Sequence, residues 1–68
     1  MNLVIEIEQE EDWRWIAEVP DLPGVLVYGS TREEAIARVK ALFLRVLADR
    51  VENGEPIPAI KDVFSVTA

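Results

Sequence analysis

Only one stretch of this chain, Thr31 to about Glu52, is long enough and free enough of glycine and proline to form a substantial helix. Thr31 suits the N-cap, Glu34 three residues on completes a capping box, and Asn53-Gly54 supplies the stop. Glu33 and Glu34 favour the positive end of the helix dipole, and Arg45 and Arg50 lie towards the negative end. Ile36, Val39, Leu42, Phe43, Val46 and Leu47 form a broad apolar stripe of the width that packs on a sheet. A single helix cannot enclose a core alone, so the remainder must supply that sheet.

The flanking segments read as strands. Leu3 to Glu8 alternates, with Leu3, Ile5 and Ile7 on one face and Val4, Glu6 and Glu8 on the other. Gln9-Glu10-Glu11-Asp12 reads as a hairpin turn. A second strand, Trp13 to Val19, places Trp13, Trp15, Ala17 and Val19 together, opposite Arg14, Ile16 and Glu18. Pro20 ends it, because proline cannot donate to a ladder. Pro23-Gly24 fits the centre of a type II turn, and Val25 to Tyr28 follows as an antiparallel third strand closed by Gly29. After the helix, Glu55-Pro56-Ile57-Pro58-Ala59 is an extended linker, and Asp62 to Thr67 is a fourth strand. The expected fold is α+β: a two-layer β-β-β-α-β sandwich over residues 1–68 as one domain. A three-stranded antiparallel meander is joined by a fourth strand parallel to strand one, through a right-handed crossover, and one helix packs on one face.

Composition narrows the chemistry. The 68 residues include no cysteine and no histidine, which excludes disulfides, thiol nucleophiles and histidine acid–base catalysis. A structural zinc site is close to excluded for the same reason. Chains of this size often need a staple or a partner subunit, so oligomerisation becomes the expected source of extra stability. The net charge of −6 argues against direct nucleic-acid binding, which rests on basic side chains neutralising phosphates. No basic leader precedes an apolar core, and no apolar run approaches the ~20 residues of a membrane helix. A cytoplasmic protein with no membrane partner is expected.

The acids are uneven: residues 1–34 hold nine acids and two bases, residues 35–68 four acids and five bases. Glu6 and Glu8, with Glu18 or Asp21, are the carboxylates closest to a divalent-cation set, but alternating Glu on a strand is also what a solvated sheet face looks like. No metal, cofactor or catalytic residue is therefore assigned. Glu8, Glu10, Glu11, Asp12 and Trp13 are the candidate partner-binding residues: a tryptophan beside carboxylates suits a basic protein partner. The alternative is that Trp13 and Trp15 both pack internally. Ala37, Ala41, Leu44, Ala48 and Val51, spaced 4, 3, 4 and 3, form a second stripe about a third of a turn from the first. It is either a homo-oligomer seam, as a dimer or tetramer, or a widening of the core face.

Trp15-Ile16-Ala17-Glu18-Val19-Pro20-Asp21-Leu22-Pro23-Gly24-Val25, followed by Gly29-Ser30-Thr31-Arg32-Glu33-Glu34-Ala35, resembles the HicB-like antitoxin family along essentially the whole chain. Pro20, Pro23, Gly24, Gly29, Thr31 and Glu34 are the turn and cap positions that carry the resemblance. It implies a partial ribonuclease-H-like fold without catalytic acids. The implied protein is the non-enzymatic antitoxin half of a toxin–antitoxin system, neutralising a small basic mRNA-cleaving toxin of the HicA type. Many family members continue into a DNA-binding domain, which is expected to be missing here. Val25, Tyr28 and Ser30 depart from the small or polar residues common at those positions. The alternative is an orphan oligomeric HicB-like protein that binds another protein or a small ligand.

Overall fold

In the computed structural model, which describes residues 3–57, the elements run β1 (Glu6–Gln9), β2 (Trp15–Glu18), β3 (Leu26–Gly29) and α1 (Arg32–Glu52). The strands form an antiparallel meander in the order β1-β2-β3. Ile7 faces Ala17 and Glu6 faces Glu18 across β1–β2; Ala17 faces Val27 and Trp15 faces Gly29 across β2–β3. The helix covers one face, giving an α+β two-layer unit. The expected fourth strand, Asp62 to Thr67, lies outside the described residues.

The core lies between the two layers. Ala17, Val19, Leu22, Val25, Ala35, Val39 and Phe43 are buried, and Leu3, Ile5, Ile7, Trp15, Val27, Leu42, Val46 and Leu47 pack against them. The alternation read for the first strand, and for the second from Trp15 to Val19, is thus kept, with Trp15 packed against the core. Leu22 enters the core from the β2–β3 connection, which two turns fold back on itself. The Leu22 N–H donates to the Val19 carbonyl at 3.0 Å, and the Val25 N–H donates to the Leu22 carbonyl at 3.2 Å. Pro23 and Gly24 occupy the centre of the second turn, and Gly24 takes φ +94°, as a type II turn requires.

The helix start is fixed by chemistry and by space. The Glu34 N–H donates to Thr31 Oγ1 at 3.0 Å, and the Glu34 carboxylate accepts the Ser30 N–H at 3.2 Å. The box therefore closes one residue further back than its simplest form. Gly29 has no positive φ; it is needed because a Cβ there would lie 2.6 Å from the Ala35 nitrogen and 2.9 Å from its Cα. Only a glycine lets β3 run this close under the first helical turn. At the other end, Gly54 at φ +69° allows its own N–H to reach the Val51 carbonyl and that of Glu55 to reach the Arg50 carbonyl. These two bonds make a Schellman stop.

Two expectations need correcting. Trp13 does not belong to the second strand: β2 starts at Trp15, and Trp13 lies in the preceding turn with φ +71°. Its left-handed backbone breaks the alternation that the sequence pattern carries through it. The first and third strands are paired over Glu6–Gln9 and Leu26–Gly29, so their ladders are shifted towards the chain's C-terminus. On the helix, Ala37, Leu44, Ala48 and Val51 of the second stripe are exposed and Ala41 is half-buried. Leu44 is 63% exposed and Val51 49%.

Candidate functional site: the acidic hairpin turn and outer sheet face

The β1–β2 turn is a three-residue loop. The Trp13 N–H donates to the Glu10 carbonyl at 3.0 Å, and the Glu10 N–H donates to the Arg14 carbonyl at 2.7 Å. In such loops a left-handed residue follows the turn, and glycine is the usual occupant. Here that residue is Trp13, at φ +71° and 77% exposed. A bulky aromatic with positive φ is a strained arrangement. It persists because the loop is braced. The Asp12 carboxylate accepts the Arg14 backbone N–H at 3.2 Å and its Nε at 2.7 Å, and Gln9 Nε2 donates to the Trp13 carbonyl at 3.2 Å. The Arg14 guanidinium then lies 4.5 Å over the Tyr28 ring, a cation–π contact that ties the turn to β3. These bonds hold the Asp12 carboxyl below its ordinary range, the Arg14 backbone N–H contributing most. Glu10 is half-buried, and Glu8, Glu11 and Asp12 are exposed.

Arg14 leads onto the sheet face that the helix does not cover. Ile16 stands opposite both Glu8 and Tyr28, and Glu18 opposite both Glu6 and Leu26. Leu26 and Tyr28 are exposed, as is Val4 ahead of β1. A groove of roughly 140 Å³ runs among Glu6, Ile7, Glu8, Ile16 and Glu18. Two features are unusual for the outer face of a small antiparallel sheet. Its floor is apolar where polar residues are expected. Glu6 also faces Glu18 directly, a like-charge pair that costs stability. Among the described residues the ion pairs are Arg14–Asp12 and Arg38–Glu34, so neither Glu6, Glu8 nor Glu18 has a cationic partner there. No three carboxylates among the described residues converge as metal ligands.

The candidate residues of the turn, Glu8, Glu10, Glu11, Asp12 and Trp13, therefore lie together and adjoin a wider surface. The sequence reading missed the apolar part, Ile16, Leu26 and Tyr28. Their outward alternation was visible, but their coalescence needs the cross-strand register.

The chain is similar to a UPF0150 protein of Archaeoglobus fulgidus, 38% identical over 58 residues that cover 81% of this chain and 83% of the relative. A UPF0150 protein of Thermoplasma acidophilum is 29% identical over 58 residues, covering 85% of this chain and 84% of the relative. No protein-family model matches the chain. No solved structure matches it. No helix among the described residues is long and apolar enough to cross a membrane.

Proposed function

The chain belongs to the UPF0150 family. We propose, from its turn and helix-start motifs and its exposed Trp13, that it is a non-catalytic protein-interaction module of the HicB-like antitoxin kind, in the cytoplasm. Its partner in this proposal is a small basic mRNA-cleaving toxin. The observation that carries the reading is Trp13: the turn holds a tryptophan, 77% exposed, where a glycine would be less strained. Strain retained at an exposed aromatic points to a use for that aromatic. Tryptophan is also the residue type most enriched among binding anchors. The surrounding Glu6, Glu8, Glu10, Glu11, Asp12 and Glu18 set the sign of the partner. A basic surface would relieve the Glu6–Glu18 repulsion, and its approach would be accelerated by the field of these acids.

The resemblance of the turn and helix-start motifs to HicB-like antitoxins supports this choice of partner. It also brings into the proposal a fourth strand, Asp62 to Thr67, parallel to β1, and a partial ribonuclease-H-like topology.

The test is co-expression with any small basic reading frame found next to the gene. Expression of that frame alone should arrest growth and degrade mRNA, and this chain should restore both. Failure of the chain to relieve toxicity, or the absence of any such frame, would overturn the antitoxin reading in favour of an orphan module.

A further inference from the structure

Among the described residues β3 pairs with β2 and has an open outer edge. We propose that the basic partner adds an extended segment to this edge as a further antiparallel strand, with basic side chains on the acidic outer face and apolar ones in a groove beside α1. The basic character of the partner rests on the proposed function; how it is held follows from the edge itself.

The ladder decides which groups the edge offers. The Val19 N–H donates to the Val25 carbonyl at 3.1 Å, so Val19 and Val25 stand as a hydrogen-bonded pair. Bonded and non-bonded pairs alternate along an antiparallel ladder. In the register of β2 and β3, Ala17–Val27 and Trp15–Gly29 are then bonded pairs too. Leu26 and Tyr28, opposite Glu18 and Ile16, turn their N–H and C=O groups away from β2. The position of Arg38 agrees, since its Nη1 donates to the Tyr28 carbonyl at 3.2 Å from outside the ladder. The Arg38 side chain is exposed and also pairs with Glu34, so it covers that carbonyl without burying it, and a strand can displace it. Edge strands are ordinarily kept from pairing by charge, proline or a bulge. Leu26–Gly29 carries no charged residue and no proline, and its register with β2 is regular.

The two sides of this edge differ in chemistry. A residue added opposite Leu26 shares its face, where Leu26 is exposed and Glu18 lies one strand further in, opposite Glu6. An added strand would lie ~10 Å from β2, a gap that a lysine or arginine and Glu18 close between them across Leu26. Opposite Tyr28 the selection for a base is weaker, because Arg14, paired with Asp12, already lies over the ring. A residue opposite Val27 points instead to the helix side. There a groove of roughly 440 Å³ is lined by Val27, Ala37, Arg38, Ala41, Leu42 and Arg45. Its floor takes an apolar side chain, and Arg38 and Arg45 repel a basic one. The edge therefore selects a segment in which apolar residues alternate with polar and basic ones, the latter exchanging hydrogen bonds with Leu26 and Tyr28.

Amide hydrogen exchange by NMR on the full chain tests this, with the synthetic peptide acetyl-Val-Thr-Val-Lys-Val-Lys-Val-amide as the probe. In the free chain the Leu26 and Tyr28 amide protons should exchange fast and that of Val27 slowly. The peptide should bind with a Kd of about 0.5 mM, the scale of a short strand pairing. At about 2 mM it should then slow exchange at Leu26 and Tyr28 about fivefold. N-methylation of its threonine and lysines keeps the charge but removes the N–H groups that face β3, and should abolish the protection. N-methylation of its valines should leave the protection in place. Arg38→Ala, with the Tyr28 carbonyl uncovered, should bind the peptide about threefold more tightly. Absence of protection, equal effects of the two methylations, or unchanged or weaker binding by Arg38→Ala with its fold intact would overturn the proposal. Protection of the same amides in the free chain, rising with its own concentration, would give the edge to a second copy and overturn it as well. The peptide assay needs no toxin, so its failure is distinct from a failure to relieve toxicity.

Discussion

Gly29→Ala isolates the contact on which the two layers depend. Gly29 needs no special φ, so the substitution probes space alone. The new Cβ would meet the Ala35 nitrogen at 2.6 Å and its Cα at 2.9 Å. Restoring ordinary contact requires β3 and the first helical turn to part by about 0.8 Å. Neither side yields easily, because both nearest atoms are backbone and the Ala35 N–H is engaged with the Thr31 carbonyl at 3.0 Å. Overpacking of this kind costs about 1–3 kcal/mol, and weakening the adjacent cap bonds adds about 1 kcal/mol. Gly→Ala returns about 0.4–1 kcal/mol by restricting the unfolded chain. The net loss is roughly 2–3 kcal/mol, or a fall in Tm of about 10–20 °C for a domain of this size. Urea and thermal unfolding followed by circular dichroism would measure it. Gly24→Ala is the comparator: its Cβ meets nothing within 4 Å, and its φ of +94° alone sets the penalty, about 1–2 kcal/mol. If Gly29→Ala changed stability by less than ~0.5 kcal/mol, the helix start would not be seated on β3 as described.

Trp13→Asn should stabilise the fold by about 0.5–1 kcal/mol, because asparagine tolerates the left-handed region better than a bulky aromatic; a loss of stability in a urea titration would mean that Trp13 packs within its own chain. Thr31→Ala should cost about 1 kcal/mol through the lost N-cap, read as a Tm fall of about 4–8 °C, and an unchanged Tm would deny the cap any role. The Asp12 carboxyl should titrate below its ordinary value of 3.8 in the folded chain, chiefly through the Arg14 backbone N–H. The stabilisation from this depressed pKa is present above the unfolded value and is lost as pH falls through the folded one. Carboxyl NMR titration of the wild type and of Arg14→Ala would check it, the latter keeping part of the shift because the backbone N–H remains.

How much was legible depended on whether the cause was local. Thr31, Glu34, Pro23, Gly24 and Gly54 act within a few residues of themselves, so the helix limits and the type II turn could be read from the chain. The core alternation of Leu3, Ile5, Ile7, Ala17 and Val19 was legible for the same reason. Trp13 was not, because a hydrophobic alternation carries no information about φ. The charge of the turn was visible, while the apolar floor of Ile16, Leu26 and Tyr28 depended on pairing across strands. Gly29 could be recognised as a strand end, but its crowding against Ala35 exists only once the helix is docked.

In the proposed function, the Trp13 turn and the acidic outer face bind a small basic protein. Isothermal titration of the wild-type chain with the purified product of any small basic reading frame adjoining the gene tests it most directly, in parallel with Trp13→Asn. One partner should bind per chain, with an affinity that falls as salt rises, and Trp13→Asn should weaken binding roughly thirtyfold, the scale of a hot-spot residue. No binding, or equal binding by Trp13→Asn with its fold intact, would contradict it.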